Sequence, residues 1–334
     1  MTTARRVILD QYRTGTEAAA KLVALDEITL PDPGPGEVLI RTTHVQLAAV
    51  LADLMRENPN LPMAGYKPGE PLWAGAVGEV IAAGEGGLAV GTAVAHRKGL
   101  QSHVIAGPWE AFPVDPALPE PYFALNQGVT AYHGMVDVAE VSEGDVVFVS
   151  GAAGGVGSLA GQIAKARGAK KVIGSAGSAA KLVYLTEELG YDAALDYRDG
   201  DLVAALKTVA PDGIDVFFDT VGGTQFEAAV QVAAEGARFA LCGALAGQLD
   251  DSVGAHPRLD IMTAINAEIV LKPFRTMHTP EQLEAWSSHY SHWLADGSVV
   301  YPHTLVPGGL DVAAATLDAL LAGTHRGTVL VELA

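Results

Sequence analysis

The segment 146–168 constrains the fold of this chain more than any other stretch. An apolar run, VVFV, leads into the glycine-rich SGAAGGVGS, and a helix is predicted to start at about Val156. Ala152, Gly154 and Gly157 match the spacing G-x-G-x-x-G, with alanine in the first position. In such a turn the middle glycine lets a pyrophosphate approach the backbone, and the last lets the helix pack close to the strand. The position between strand and helix favours a dinucleotide site over an ordinary glycine-rich turn.

The pattern changes near Tyr122, and strand-like and helix-like stretches alternate from Asp145 onward. VVFVSG is followed by SLAGQIAKARGA, KVIGSAG by AAKLVYLTEELG, and IDVFFD by TQFEAAVQVAAEG. A last helix is predicted over Pro280–Ala295, with Thr279 as its N-cap and Gly297 after its end. This alternation implies a parallel sheet covered by helices. We therefore predict an α/β fold with a doubly wound, Rossmann-type parallel sheet over residues 123–295.

The regions on either side of this segment have a different pattern. Residues 1–122 hold short apolar runs between turns rich in proline and glycine, such as PDPGPGE and AAGEGG, and this is typical of a compact β-rich domain. Strand-like sequence returns in VVYPHTLV and GTVLVEL near the C-terminus. We predict a first domain made of residues 1–122 and completed by residues 296–334.

The second predicted strand, Lys171–Gly174, bears on the choice of dinucleotide. A site for NAD usually has Asp or Glu about twenty residues past the glycines, where it takes both ribose hydroxyls. This chain has SAGS at 175–178, and Lys181 follows one helical turn later. The missing acid favours NADP(H), since no carboxylate would repel a 2′-phosphate. Lys181 and Arg198 could pair with that phosphate, although a solvated helix lysine and an exposed loop arginine are equally compatible with the pattern.

Charge and composition exclude several classes of function. The chain has a formal net charge of −18 and no cluster of lysine and arginine, so a nucleic-acid backbone is not expected as a partner. No apolar stretch has the length of a membrane span, and the N-terminus lacks the pattern of a secretion signal. We expect a soluble cytoplasmic protein.

The single cysteine, Cys242, excludes a multi-cysteine zinc site and is predicted to be a buried, inert thiol.

These motifs resemble those of the medium-chain dehydrogenase/reductase superfamily. NQGVTAYHGMVDVAEVSEGDVVFVSGAAGGVGSLAGQIAKARGAKKVIG is similar to the zinc-independent branch of prostaglandin reductases and 2-alkenal double-bond reductases. The similarity covers nearly the whole chain and is densest over residues 126–223. It implies a GroES-like domain beside the Rossmann domain, a homodimer, and an active site in the cleft between the domains. It also implies reduction of the carbon–carbon double bond of enals and enones with NADPH. Zinc is not expected, because His44, His96 and His103 lack a G-H-E context.

The resemblance also implies roles for individual residues. The pyrophosphate would be lined by Gly154, Gly155, Val156 and Gly157, and the 2′-phosphate would be held by Ser178, Lys181 and Tyr197. The nicotinamide would lie near Thr130, Tyr132, Thr220, Gly222, Cys242, Gly243 and Phe274. For Tyr132 and Phe274 the alternative role is that of a core aromatic residue.

The chain departs from the family pattern where the substrate is expected. Gln248 and Leu54 stand where the family has tyrosines, and His325, predicted to contact the cofactor, stands where the family has asparagine. Tyr66 and Trp73 could form an apolar wall of the substrate pocket or belong to the core of the first domain. The cofactor chemistry should survive these changes, but the identity of the substrate does not carry over.

The implied reaction adds a hydride to the β-carbon of a conjugated carbonyl compound. The developing enolate oxygen then needs hydrogen-bond donors, for which Tyr132 and Gln248 are the candidates among the side chains. Solvent can protonate the α-carbon, so no dedicated acid residue is required. A quinone reductase and a non-catalytic NADPH-binding protein are the alternatives.

Overall fold

The structure, a computed structural model, describes residues 1–61, 63–249 and 256–333. The chain forms two compact units, one of Met1–Asn126 with His303–Ala334 and the other of Gln127–Pro302. The boundaries predicted from the sequence, after residues 122 and 295, lie a few residues before these.

Strands dominate the first part of the chain, and strands and helices alternate in the rest. The strands are β1 Thr2–Leu9, β2 Val23–Leu30, β3 Val38–Leu47, β4 Ala76–Ala83, β5 Ala93–His96, β6 His103–Ala106, β7 Ala111–Pro113, β8 Val146–Val149, β9 Lys171–Ala176, β10 Ala193–Asp196, β11 Ile214–Asp219, β12 Ala233–Leu241, β13 Val270–Pro273, β14 His303–Pro307 and β15 Thr328–Glu332. The α-helices are α1 Val50–Leu54, α2 Gly128–Tyr132, α3 Gly157–Ala166, α4 Ala179–Val183, α5 Leu202–Val209, α6 Gly223–Gln231, α7 Leu245–Leu249, α8 Ile261–Asn266, α9 Pro280–Asp296 and α10 Leu310–Leu321. Short 3-10 or π-helical segments are Ala19–Lys21, Pro121–Ala124, His133–Val138 and Tyr184–Glu188.

The unit Gln127–Pro302 is built on a six-stranded sheet in the order β10-β9-β8-β11-β12-β13. Every neighbouring pair in this sheet is parallel. This is the order 3-2-1-4-5-6 of a doubly wound nucleotide-binding sheet, so the predicted Rossmann architecture is confirmed. The central strands are apolar because they are covered on both faces. Phe148, Phe217 and Phe239 are fully buried there, and the first two rings stack with centroids 5.1 Å apart.

The other unit is rich in β-structure, as the sequence predicts. Its larger sheet has the order β14-β15-β3-β4-β5-β7, and β6 pairs with β3 outside this path. The ladders are antiparallel except for β14 with β15. The C-terminal strands join this sheet through the pairing of β15 with β3, which explains why strand-like sequence returns near the end of the chain.

Helix α9 shows how closely local signals set an element's limits. Thr279 accepts a hydrogen bond from the backbone of Gln282, whose side chain accepts one from the backbone of Thr279, and together they form a capping box. Gly297 ends the helix in the left-handed conformation, at φ 78°. The helix predicted over Pro280–Ala295 is confirmed and extends to Asp296.

Among the described residues, no helix has both the length and the apolar character that crossing a bilayer requires.

Candidate dinucleotide site

The glycine-rich turn lies between β8 and α3, at the carboxyl end of the parallel sheet. Gly154 is exposed, and a Cβ placed on it would meet only the carbonyl oxygen of Gly151, at 3.3 Å. Gly157 is in the opposite situation, because its Cβ would lie 2.5 Å from the same oxygen and 2.9 Å from Cα of Ala152. The middle position is therefore open to a ligand, and the last position packs the helix start against the strand end. Both are what a phosphate-binding turn requires.

Alanine is accommodated at the first position of the motif because a glycine lies opposite. Ala152 is fully buried, and its N–H donates to the carbonyl oxygen of Ser175 at 3.0 Å. A Cβ on Gly174 would lie 2.8 Å from the Ala152 methyl group. The methyl group thus fills space that Gly174 leaves on the neighbouring strand β9.

Tyr191 holds the start of α3 in place, a role that we did not predict. Its hydroxyl donates to the carbonyl oxygen of Gly157 at 2.7 Å, and burial raises the pKa of the phenol. A Cβ on Gly161 would lie 2.1 Å from this ring, and one on Gly174 would lie 2.8 Å from it. The glycine spacing in α3 and β9 is the sequence signal for such a ring, but it does not say which aromatic residue fills the space.

Asp219, at the end of β11, organises the loop that follows. Its Oδ1 accepts hydrogen bonds from Ser150 Oγ at 2.6 Å and from the N–H groups of Val221 and Gly222 at 2.9 Å each. The Ser150 hydroxyl in turn accepts from the N–H of Thr220 at 2.8 Å. Asp219 is only 2% exposed, and burial raises its pKa, with these hydrogen bonds acting in the opposite direction. The sequence shows an acid closing an apolar strand, IDVFFD, and this is the signal that we did not use.

The backbone of Asp219 also holds the loop after β12. Its carbonyl oxygen accepts from the N–H of Cys242 at 2.9 Å and from that of Gly243 at 3.1 Å. The structure therefore brings Thr220, Gly222, Cys242 and Gly243 together at one edge of the sheet, and their contact with a nicotinamide stays a prediction. Gln248 follows in α7, where its side chain is partly buried.

A second cluster lies at the ends of β9 and β10, where the 2′-phosphate was predicted to bind. Arg198 Nη1 donates to the carbonyl oxygen of Gly177 at 2.9 Å, and its guanidinium carbon lies 5.3 Å from the centre of the Tyr197 ring. A Cβ on Gly177 would lie 2.8 Å from Arg198 Nε, so only glycine allows this approach. Lys181 is half-buried, and its pKa is lowered by burial and, secondly, by the charge of Arg198. Ser178 is the N-cap residue of α4, which carries Lys181.

Thr130 and Tyr132 are close in sequence but lie in different surroundings. Thr130 is buried, and its Oγ1 lies 2.9 Å from Nε2 of His278. Tyr132 stacks on His289 of α9, with ring centroids 5.1 Å apart. Its ring also lies 6.0 Å from that of Trp286, and burial raises its pKa. This placement is that of a core aromatic, and the prediction that Tyr132 donates to an enolate has no support in it.

Phe274 follows β13 and is partly buried. The centre of its ring lies 5.4 Å from that of His133 and 6.3 Å from that of Phe218, and both pairs of rings meet edge to face. A Cβ on Gly134 would lie 2.6 Å from the Phe274 ring. Phe274 thus packs against the helical segment that continues α2, and both roles that the sequence leaves open are compatible with this position.

The other predicted residues belong to the β-rich unit. Leu54 is 0% exposed, and Tyr66 is 3% exposed with its hydroxyl donating to the carbonyl oxygen of Trp73 at 2.7 Å. Leu54 and Tyr66 lie in the core of this unit, which for Tyr66 is one of the two roles that the sequence leaves open. A contact of either residue with a substrate stays a prediction. Trp73 is partly buried, and the guanidinium carbon of Arg97 lies over its ring, 5.7 Å from the ring centre. His325 lies in the connection from α10 to β15.

Comparison with known proteins places these features in a family. Residues 155–289 match the family described as zinc-binding dehydrogenase, and residues 5–114 match the N-terminal domain of oxidoreductase. Within the described residues, no group of three His, Cys, Asp or Glu side chains is arranged to hold a metal ion.

Similar proteins cover almost the entire chain. The NADP(+)-dependent 2-alkenal reductase of Nicotiana tabacum is 30% identical over 98% of this chain and 96% of its own. The NADPH-dependent curcumin reductase of Escherichia coli is 28% identical over 93% of this chain and 91% of its own. The crystal structure of CurA in complex with NADPH from Vibrio vulnificus has a TM-score of 0.91 and 29% identity, with 99% of both chains covered.

The chain belongs to the medium-chain dehydrogenase/reductase superfamily. Its relatives place it in the zinc-independent branch of this superfamily, with the prostaglandin, 2-alkenal and curcumin reductases, and the predicted resemblance is confirmed. In this medium-chain reductase the phosphate turn, the Asp219 loop and the cluster around Arg198 all lie at the carboxyl ends of parallel strands. Ligands bind at this edge in open α/β sheets.

The thiol of Cys242 gives a direct chemical check on this loop. Burial, with a smaller effect of the Asp219 charge, raises the pKa of Cys242 to about 12. Because the thiolate is the nucleophile, iodoacetamide at pH 8 should alkylate the native protein far more slowly than the urea-unfolded protein. Mass spectrometry measures the rate without ambiguity, since Cys242 is the only cysteine in the sequence. Equal rates in the native and unfolded protein would contradict the raised pKa of this thiol.

Proposed function

We propose that this protein is an NADPH-dependent oxidoreductase that reduces the carbon–carbon double bond of α,β-unsaturated carbonyl compounds. The observation that carries the cofactor is the cluster of Lys181, Tyr197 and Arg198 beside SAGS, where an NAD-binding protein would have an acid. The substrate class is supported by the relatives, which are named as 2-alkenal, curcumin and prostaglandin reductases.

The residues present fit the cofactor at each of its parts. The open Gly154 would let the pyrophosphate approach the backbone, and the start of α3 would offer it N–H groups. Two cations near an aromatic ring suit a 2′-phosphate, which is a dianion near neutral pH. Thr220 and Gly222, in the loop that Asp219 holds, would line the nicotinamide together with Thr130.

Bound NADPH would supply the hydride that adds to the β-carbon of the substrate. The chain itself has to place the substrate, exclude water and stabilise the negative charge that develops on the carbonyl oxygen. The amide of Gln248 is the proposed donor, because it follows the loop that Asp219 organises and is partly buried. Protonation of the α-carbon can come from solvent, so no acid residue is assigned to it.

The reaction is tested by turnover of a panel of enals, enones and quinones with NADPH. We expect steady oxidation of NADPH with enals or enones, and a saturated carbonyl product. With NADPH deuterated at C4 of the nicotinamide, the label should be found on the β-carbon, as read by NMR. Turnover of quinones alone would indicate a quinone reductase instead. Tight binding of NADPH without turnover of any compound would indicate a non-catalytic NADPH-binding protein.

The preference for NADPH should depend on the two cations. Lys181→Ala and Arg198→Ala should each raise KM for NADPH by about tenfold, because each removes a charge-assisted contact. KM for NADH should change little, since NADH has no 2′-phosphate. Lys207→Ala, at an exposed position of α5, is the matched control and should leave both KM values unchanged. An equal loss with NADH and NADPH would refute the assignment of the cluster to the 2′-phosphate.

We also propose a homodimer that forms at the β13 edge of the parallel sheet. Val270 and Leu271 on this edge strand are exposed, and so are Ile261, Met262 and Ile265 on the neighbouring α8. An exposed apolar edge strand is a template for pairing with another chain, because a second copy pairs its free backbone groups and covers its apolar side chains.

The cytoplasm is the proposed location, since NADPH is the reductant there and the chain has no pair of cysteines to oxidise.

Light scattering coupled to size exclusion tests the dimer. The unaltered chain should have twice the monomer mass, and Leu271→Lys together with Ile265→Lys should shift it toward the monomer by burying unpaired charges at the interface. Val90→Lys, at an exposed apolar residue of the other unit, is the control and should leave the mass unchanged. This interface would be ruled out if the unaltered chain had the mass of a monomer. It would also be ruled out if the variant with both lysines kept the mass of a dimer.

A further inference from the structure

Two arginines of the β-rich unit, Arg13 and Arg56, lie in segments that are hydrogen-bonded to each other. The N–H of Arg13 donates to the carbonyl oxygen of Met55 at 2.9 Å, and Arg56 Nη2 donates to the carbonyl oxygen of Gly15 at 3.4 Å. Arg13 follows β1 and Arg56 follows α1, so the two are far apart along the chain. Sequence reasoning did not single them out, because neither belongs to a basic run.

The guanidinium group of Arg13 is buried without a partner. The residue is 7% exposed, and its side chain makes no hydrogen bond or ion pair with a described residue. The side chain of Arg56 is 18% exposed, and its Nε also lacks a hydrogen-bond partner in the described part of the chain. Buried charges in proteins are ordinarily paired, because an unpaired one loses its hydration without compensation. Burial and, secondly, the charge of Arg56 lower the pKa of Arg13, so both act against its charged form.

Three carboxylates near Arg13 do not supply the missing acceptor. Those of Glu17, Asp318 and Asp53 act on its pKa in the opposite direction, but among the described residues none forms an ion pair with it. Asp53 Oδ1 lies 3.5 Å from Arg56 Nε without a hydrogen bond. Each carboxylate accepts from other donors, which are Gly15 for Glu17, Ala19 and Ala20 for Asp318, and Asn60 for Asp53. The N–H fork of Arg13 is therefore left unmatched.

We propose that Arg13 and Arg56 form a binding site for the carboxylate group of a small organic acid. A carboxylate presents two acceptor oxygens at the spacing of the guanidinium N–H fork, so it can pair with Arg13 through two parallel hydrogen bonds. The protein's own carboxylates nearby limit the charge that the site accepts, which favours a single negative charge over the dianion of phosphate. Binding here requires neither NADPH nor turnover, so its failure would leave the proposed function intact.

NMR of the arginine side chains tests the site directly, with acetate as the probe. In protein labelled with ¹⁵N at arginine, the Nε–H signal of Arg13, assigned with the Arg13→Lys variant, should shift in a saturable manner as acetate is added. Arg41, which is exposed and paired with Glu79, is the internal control, and its signal should show no saturable shift. Phosphate should bind more weakly than acetate at equal ionic strength. An Arg13 signal that does not respond, or tighter binding of phosphate, would overturn the proposal.

Thermal unfolding shows whether Arg13 binds an anion or only supports the fold. The parent protein for this comparison carries Lys181→Ala and Arg198→Ala, so that anions cannot act at that other pair of cations. Acetate should raise the Tm of the parent above its value in sodium chloride, because a ligand of the folded state stabilises it. Arg13→Met should abolish this rise without lowering Tm in chloride, since an apolar side chain replaces an unpaired charge. Arg41→Met is the matched control and should keep the rise.

Arg56→Met is the second variant and keeps the test open if Arg13→Met does not fold. It should weaken the binding of acetate by about tenfold, the size of one charge-assisted contact. If Arg13→Met lowers Tm by the same amount in chloride and in acetate, the arginine has a purely structural role and the proposal is wrong. A rise with acetate that persists in both methionine variants would contradict it as well.

Discussion

A single buried carboxylate, that of Asp219, connects the loops on which the proposed function depends. One of its oxygens accepts from the Ser150 hydroxyl at the end of β8 and from the N–H groups of Val221 and Gly222 in the loop after β11. Its backbone carbonyl accepts from the loop after β12. Three adjacent strand ends are therefore joined by short, directional bonds in a site that excludes water, where such bonds are strong and an unpaired partner is costly. The loops are held in place before any ligand arrives.

Close packing has a comparable role on the other side of β8. Gly157, Gly161 and Gly174 leave just enough room for the ring of Tyr191 and for the approach of α3 to the strands. A side chain at any of these glycines would push the helix away from the sheet. The start of α3 is the proposed site of the pyrophosphate, and its position depends on how Gly161, Gly174 and Tyr191 pack behind it.

The local parts of this arrangement could be predicted from the sequence. The strand–turn–helix at Gly154 and Gly157, the limits of α9 and the β-rich first region all depend on short-range patterns of apolar residues, glycine and capping residues. Long-range contacts were beyond that reasoning. The pairing of Thr130 with His278 and the filling of the Gly161 space by Tyr191 join distant residues and leave no periodic trace. Position in a motif, as used for Leu54 and Tyr132, does not show whether a side chain points into a core, and for Tyr66 and Tyr132 the sequence left the core role open.

The pair of cations at the end of β9 has a consequence for the empty protein. The charge of Arg198 adds to burial in lowering the pKa of Lys181, and the Gly177 carbonyl and the Tyr197 ring hold the guanidinium of Arg198 in place. An anion that binds to both would offset this effect of one charge on the other. Inorganic phosphate and sulfate have the charge and the oxygen acceptors to do so. At the proposed 2′-phosphate site, the apparent affinity for the cofactor would then depend on the buffer as well as on the protein, and it would be highest where no small oxyanion competes for these two side chains.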